Sequence, residues 1–399
     1  MQVLRVWSHQ GQEAEHKALQ AIVRSFNDAH ATEGLRVEVS FFPDFQYTEK
    51  LSIAAAAGDV PGALGLDGPL VARFVEAGWL APLDAHVGER DRADFLPTLL
   101  QQGTVNGRLY ALGAFDSAVV LYYDRDMLAG AGVTPASEHA AWTWEEFLTA
   151  CQKLADAGME PVSLHMDESA DEWYTYAFSP VIWSGGGSLV DTDGSQVRGV
   201  LASDANIRSL TAWRTLFARK FAQTDPIDPD LFGKGKVAMD WSGHWMARSH
   251  LANKGEKLGA MKLPRTGARS VAPCGSWAWA VSAHTQDVSA AVKWLAWVTH
   301  AEHGVIPMVR ANGAVPSRRS AFAAFPEYSE IPYRLFREQL ETQAQARPRT
   351  AAYATLTQRF AGALRDIARG ADVRPRLQQA EDEIQAVIDR RHRRTALAP

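Results

Sequence analysis

The stretch Val3-Leu4-Arg5-Val6-Trp7, followed by Glu13 to His30 and then Val37-Glu38-Val39-Ser40-Phe41, decides the fold. The first segment has a strand-like pattern. In the second, Leu19, Ile22, Val23 and Phe26 recur at i, i+3, i+4 and i+7, the spacing of one helix face. In the third, Val37, Val39 and Phe41 alternate with polar residues at the period of a half-buried strand. Strand, helix, strand is the repeating unit of an α/β sheet with helices on its faces.

Outward from that unit, strands are predicted at Gly62 to Leu66, Leu109 to Gly113, Ala118 to Asp124, Pro161 to Leu164, Lys236 to Trp241 and Trp277 to Ala283, with helices between most of them. Thr143-Trp144-Glu145-Glu146 has the spacing in which a threonine hydroxyl and a glutamate satisfy each other's backbone amides at a helix start. The helix it opens runs over 144–157 and closes at Gly158. The last 80 residues show no strand pattern. They read as amphipathic helices over 354–369 (Leu356, Phe360, Leu364, Ile367) and 375–391 (Leu377, Ile384, Val387, Ile388), a helical tail packed on one lobe.

A chain of 399 residues, 46% hydrophobic and 22% charged, has apolar material for more than one core, and two domains are expected. The net charge of −5 and the lack of a basic stripe argue against nucleic acid as a partner. No apolar run has the length of a bilayer span. The opening residues show no charged region followed by an apolar stretch and a cleavage site. The sequence therefore fits either a cytoplasmic protein or a chain that begins after a removed signal.

Cys151 and Cys274 can pair in principle, but Cys151 lies on the apolar side of a predicted helix and reads as a buried thiol. The histidines form no zinc spacing, and His300 with His303 reads as a solvated helix end. No metal, cofactor or catalytic motif is expected.

Thirteen tryptophans are more than such cores need, and a pyranose packs its C–H face on an aromatic plane. Trp79, Trp144, Trp294 and Trp297 read as core. Trp7, Trp173, Trp183, Trp241, Trp245 and Trp277 lie at predicted strand ends or in Gly- and Ser-rich loops, where open α/β sheets bind ligands. Trp245 in Ser242-Gly243-His244-Trp245 and Trp277 in Gly275-Ser276-Trp277 lead, because neighbouring glycines let backbone approach a ligand. The alternative for each is core packing.

Many segments, in order, resemble the extracellular solute-binding proteins of carbohydrate ATP-binding cassette importers, the group that includes maltose-binding protein. They include Ala77-Gly78-Trp79-Leu80-Ala81-Pro82-Leu83, Gly107-Arg108-Leu109-Tyr110-Ala111-Leu112, Leu121-Tyr122-Tyr123-Asp124, Phe232-Gly233-Lys234-Gly235-Lys236-Val237-Ala238-Met239 and Asn312-Gly313-Ala314-Val315-Pro316-Ser317. The resemblance implies a periplasmic-binding-protein-like fold of two α/β lobes with a hinge and an interlobe ligand cleft. One lobe would comprise 1–114 and 276–316, the other 115–275 and 317–399, with crossings near Phe115 and Gly275.

It further implies a periplasmic or extracellular monomer without catalysis. Such a protein carries a small carbohydrate, a disaccharide such as maltose or trehalose by family analogy, to a membrane permease. Asp67 and Asp116 match family positions whose carboxylates reach sugar, their alternative being an Asx turn or helix cap. His9 and Gln10 occupy the place of polar ligand contacts, and Gly275 and Ser276 lie beside Trp277. Trp183 matches by position, Asp44 either contributes or caps a helix, and Arg349 and Tyr353 sit on a late loop that reaches the cleft. Asp167 and Glu168 are further carboxylate candidates. A glycerophosphodiester ligand, met by Arg349, and a glycoside hydrolase using Asp67 with Asp116 are the competing readings.

Overall fold

The computed structural model describes residues 2–137, 139–166, 171–225, 228 and 230–396, the side chains of 44, 45 and 394–396 excepted. The chain divides into two compact units. Unit 1 contains Met1–Ser117 and Gly275–Pro326, and unit 2 contains Ala118–Cys274 and Glu327–Pro399.

The sheet of unit 1 has five strands in the order Leu35–Phe42, Gln2–His9, Ala63–Asp67, Trp277–Val281 and Ala111–Gly113. The first three are parallel, with Val6 beside Val39 on one side and Ala63 on the other. Its edge strand alternates buried Leu35 and Val37 with exposed Arg36 and Glu38, whereas residues 6–9 of the inner strand are continuously buried, as expected when both faces are covered. The helix Glu13–Ala29 packs through Leu19, Ile22 and Phe26. Trp277–Val281 arrives from far along the chain and runs antiparallel to its neighbours, which sets Trp277 opposite Asp67.

Unit 2 has a four-stranded sheet in the order Leu258–Met261, Val119–Asp124, Val237–Gly243 and Glu160–Ser163. The predicted cap is present: the Thr143 amide donates to Glu146 Oε2 at 2.7 Å and the Glu146 amide to Thr143 Oγ1 at 3.2 Å. The helix Trp144–Asp156 follows, and Gly158 turns the chain away at φ +76°. Helices Tyr353–Ala368 and Val373–Ala396 bury Leu356, Phe360, Leu364, Leu377 and Ile384 in the core of this unit. Cys151 and Cys274 are buried and not disulfide-bonded, and burial pushes the Cys151 thiol up.

Two expectations need correction. The last 80 residues do contain a strand, Ala344–Ala346, which pairs with Ala272–Cys274; an Ala-Gln-Ala triplet has no periodicity to announce it. The unit boundaries also differ. Phe115 and Asp116, expected in the second lobe, belong to unit 1 because they pair with Pro316 and Val315. Residues 317–326 stay in unit 1 as well. There buried Arg318 bonds Asp91 at 2.7 Å and Asp94 at 3.3 Å and lies 4.0 Å over the Phe95 ring.

Candidate ligand-binding residues of the two units

In unit 1 the parallel strands Gln2–His9 and Ala63–Asp67 end at the same edge as the start of Trp277–Val281. The His9 imidazole stacks on the Trp277 indole at 3.6 Å between centroids and 9° between planes. Tyr47 tilts against the same indole at 5.8 Å. Its hydroxyl lies 2.8 Å from the Gly65 carbonyl and 3.1 Å from that of Trp7, which ties the ring to two strands. Trp277 and Asp67 keep part of their surface exposed, and Gln10 is exposed. Asp67 does not cap the short turn that follows it, so the cap alternative is not realised. Gly275, at φ +123°, occupies backbone space that a side chain disfavours.

Asp116 is placed differently from its expected role. It is fully buried, and its two oxygens accept from four protein donors. Oδ1 receives the amides of Ser117 at 2.8 Å and Gly275 at 2.9 Å, while Oδ2 receives Thr98 Oγ1 and Gln102 Nε2, both at 3.0 Å. A carboxylate so enclosed has no lone pair left for a sugar hydroxyl, and the glycosidase pair of Asp67 with Asp116 loses its second member.

Trp7 also moves from candidate to core: it is 9% exposed and packs edge-on against Phe42 at 4.9 Å. The side chain of Asp44, at the start of a helix, lies outside the described residues, as do Asp167 and Glu168.

In unit 2 the strand Val237–Gly243 runs into His244 and Trp245. Trp245 is partly exposed and meets Trp173 at 6.0 Å, Tyr176 at 6.2 Å and His244 at 5.2 Å. A Cβ at Gly243 would lie 2.2 Å from the Trp245 ring. Glycine is thus required because the indole folds back across it. Gly243→Ala is expected to displace that ring at a cost of roughly 1 kcal/mol; an unchanged Trp245 environment in near-ultraviolet circular dichroism would contradict this.

Burial lowers the His244 imidazole to about 3, so it is neutral. Trp183, at the end of the helix Asp171–Ser184, is 4% exposed and Trp241 1% exposed. Both are core, which removes Trp183 from the ligand candidates.

Tyr353 is likewise not free to meet a ligand. It is buried, and its hydroxyl donates to Glu172 Oε1 at 2.5 Å, the oxygen that also pairs with buried Arg347 at 2.5 Å. Arg349 is exposed. Trp173 donates to the Leu164 carbonyl and meets the His165 ring edge-on at 5.9 Å, and the buried Asp240 carboxylate holds His165 Nε2 at 2.7 Å and His250 Nε2 at 2.8 Å. Burial opposes ionisation of Asp240, but the two imidazoles outweigh it and hold its carboxyl below the ordinary value.

Tyr47, Gln102, Asp240, His165 and Glu172 were not singled out from sequence, whereas Trp173 was among the loop tryptophans and is partly exposed. Only Asp240 carried a signal, as an acid inside the apolar run Val237-Ala238-Met239-Asp240-Trp241. Among the described residues no cluster is arranged to hold a metal ion, and no helix is long and apolar enough to cross a membrane.

The family model described as bacterial extracellular solute-binding protein matches residues 10–304. A binding protein of Brucella abortus is 26% identical over 178 residues, 42% of this chain and 40% of that protein. The match therefore spans less than half the length of that relative. Among solved structures, the sugar-binding protein MalE of Xanthomonas citri superposes with a TM-score of 0.85 at 17% identity, covering 100% of both chains. UgpB of Mycobacterium tuberculosis, solved in complex with glycerophosphocholine, gives 0.81 at 22% identity, covering 98% of this chain and 99% of the other.

Proposed function

The chain belongs to the bacterial extracellular solute-binding proteins, and we propose that it captures an uncharged carbohydrate outside the cytoplasm for an ATP-binding cassette importer. One observation carries the carbohydrate reading: the His9–Trp277 stack at the carboxyl ends of parallel strands, with Asp67 directly across the sheet pair. A partly exposed indole offers an apolar plane to a sugar ring. A carboxylate beside it accepts hydroxyl donors in charge-assisted bonds, and His9 and Gln10 add polar edges.

The aromatic group around Trp245 is the corresponding surface of unit 2, taken by itself. We propose a disaccharide such as maltose or trehalose as the size, on the resemblance to maltose-binding protein rather than on the placement of the indoles. In unit 1 the Asp67 carboxylate beside the indole disfavours an anionic ligand. The buried Arg347 guanidinium is already matched to Glu172 and offers a phosphate little. We propose a monomer that presents its loaded form to a membrane permease.

A thermal-shift screen of neutral mono-, di- and trisaccharides, a sugar phosphate and glycerophosphocholine tests this, since a ligand that binds only the native state raises its apparent stability. The largest shift is expected from an uncharged di- or trisaccharide. A shift from glycerophosphocholine with none from any sugar would replace the carbohydrate assignment.

A further inference from the structure

We propose that Asp116 is a positioning residue for ligand capture, holding the Gly275-Ser276-Trp277 turn in the conformation that presents the His9–Trp277 platform. The proposal rests on reading that platform as the carbohydrate surface.

The chain leaves unit 1 after Ser117 and re-enters it at Gly275. One carboxylate oxygen receives the amides of both residues, so it gathers the outgoing and returning strands at a single point. Ser117 Oγ closes the same junction by donating to the Gly275 carbonyl at 2.8 Å. The other carboxylate oxygen fixes Gln102 by accepting from Nε2, which turns Gln102 Oε1 toward the Ser276 amide at 3.3 Å. The Ser276 carbonyl in turn accepts from the Gly68 amide at 3.0 Å, next to Asp67. Trp277 therefore begins its strand from a turn whose preceding two amides both answer, directly or through Gln102, to Asp116.

Asparagine cannot reproduce this. Its carbonyl can serve the amides of Ser117 and Gly275, but its NH2 then faces Thr98 and Gln102. The Thr98 hydroxyl can reverse and accept. Gln102 can accept only by flipping its amide, which withdraws Oε1 from Ser276.

The groups that face the carboxylate are uncharged: Thr98 and Gln102 of the helix Pro97–Gly103, and the backbone amides of Ser117 and Gly275. Across the strand pair stands Val315. Burial raises the Asp116 carboxyl to about 6, against the four hydrogen bonds that favour its ionised form. Above that pH the ionised group accepts from all four donors. Below it, one oxygen carries a proton and the turn loses an acceptor.

The folded value lies above the ordinary 3.8, so this carboxyl's contribution to global stability falls as pH rises from about 4 to about 6. Order in the turn instead rises as the group ionises through about pH 6, opposite in sign to that stability contribution.

The test uses the full chain without ligand. Amide exchange at Ser117, Gly275 and Ser276 and the ring-current-shifted His9 resonances are followed from about pH 8 to about pH 5 in the parent protein, Asp116→Asn and Thr98→Val. Asp116→Asn is expected to speed Ser276 exchange about tenfold or more and to move the His9 signals toward unstacked values. The acid response near pH 6 should disappear in that variant. Thr98→Val, which removes one neutral donor, should preserve the fold and give a smaller change of the same sign.

Unchanged Ser276 exchange and His9 shifts in Asp116→Asn would overturn the positioning role. So would a parent protein whose turn order is flat across pH 6. These readouts need no sugar. A sugar screen without a hit sinks the carbohydrate reading alone and leaves the amide data to judge Asp116.

Discussion

Replacing Trp277 by alanine is expected to weaken binding of the best sugar from the screen by about 30-fold or more, the scale of a central aromatic anchor. The loss has two sources. The sugar loses its apolar plane, and His9, stacked at 3.6 Å, loses the surface that sets the orientation of its ring. Trp277→Phe keeps a smaller plane and should fall between the two.

Trp183→Phe supplies the contrast, because Trp183 lies in the core of unit 2. That change should lower stability while affinity stays within about twofold. Isothermal titration decides. If Trp277→Ala binds like the parent protein, the platform is not the sugar surface.

The largest stability effect is expected at Asp240. Its carboxylate is fully buried and serves two imidazoles at once. Asp240→Ala strands both, and removing one partner of a buried ionic group costs about 3–5 kcal/mol. Asp240→Asn is little better, since its amide can accept from only one imidazole. The other must turn its lone pair to the amide, and for His250 that places a proton on Nδ1, which is buried without a partner.

The pH dependence follows from two opposite shifts. Asp240 is held below 3.8, so its contribution is present above that pH and is lost as pH falls through the lower folded value. For His165, burial alone would lower the imidazole, but Asp240 and, more weakly, Asp230 raise it above 6.5. Its contribution is full below 6.5 and is lost as pH rises through the folded value. The network therefore stabilises most between about pH 4 and pH 6.5. Urea unfolding across this range should show that advantage in the parent protein and a flattened profile in Asp240→Ala. A variant within about 1 kcal/mol of the parent throughout would show that the network is dispensable.

Local pattern was sufficient where neighbours in sequence are neighbours in space. The helix Glu13–Ala29, the cap at Thr143 and Glu146, and the two C-terminal helices were legible because periodicity and capping act within a few residues. The fold class followed from the first strand, helix and strand. The tryptophans show the limit. Trp7, Trp173, Trp183, Trp241, Trp245 and Trp277 all stood at strand ends or in Gly- and Ser-rich loops, yet three are core and three are partly exposed. Burial depends on what arrives from elsewhere in the chain.

The sequence by itself thus determined an α/β protein with two cores, its main elements and a short list of residues with the chemistry to hold a sugar. Only the tertiary structure decided their roles. It set Trp277 against His9 and opposite Asp67 by pairing strands more than 200 residues apart. It also enclosed Asp116, a carboxylate the sequence offered as a ligand contact, among donors from positions 98, 102, 117 and 275. The physical reason is that a carboxylate's role depends on which donors surround it. Those donors come from segments whose meeting is set by long-range strand pairing, which no local pattern encodes.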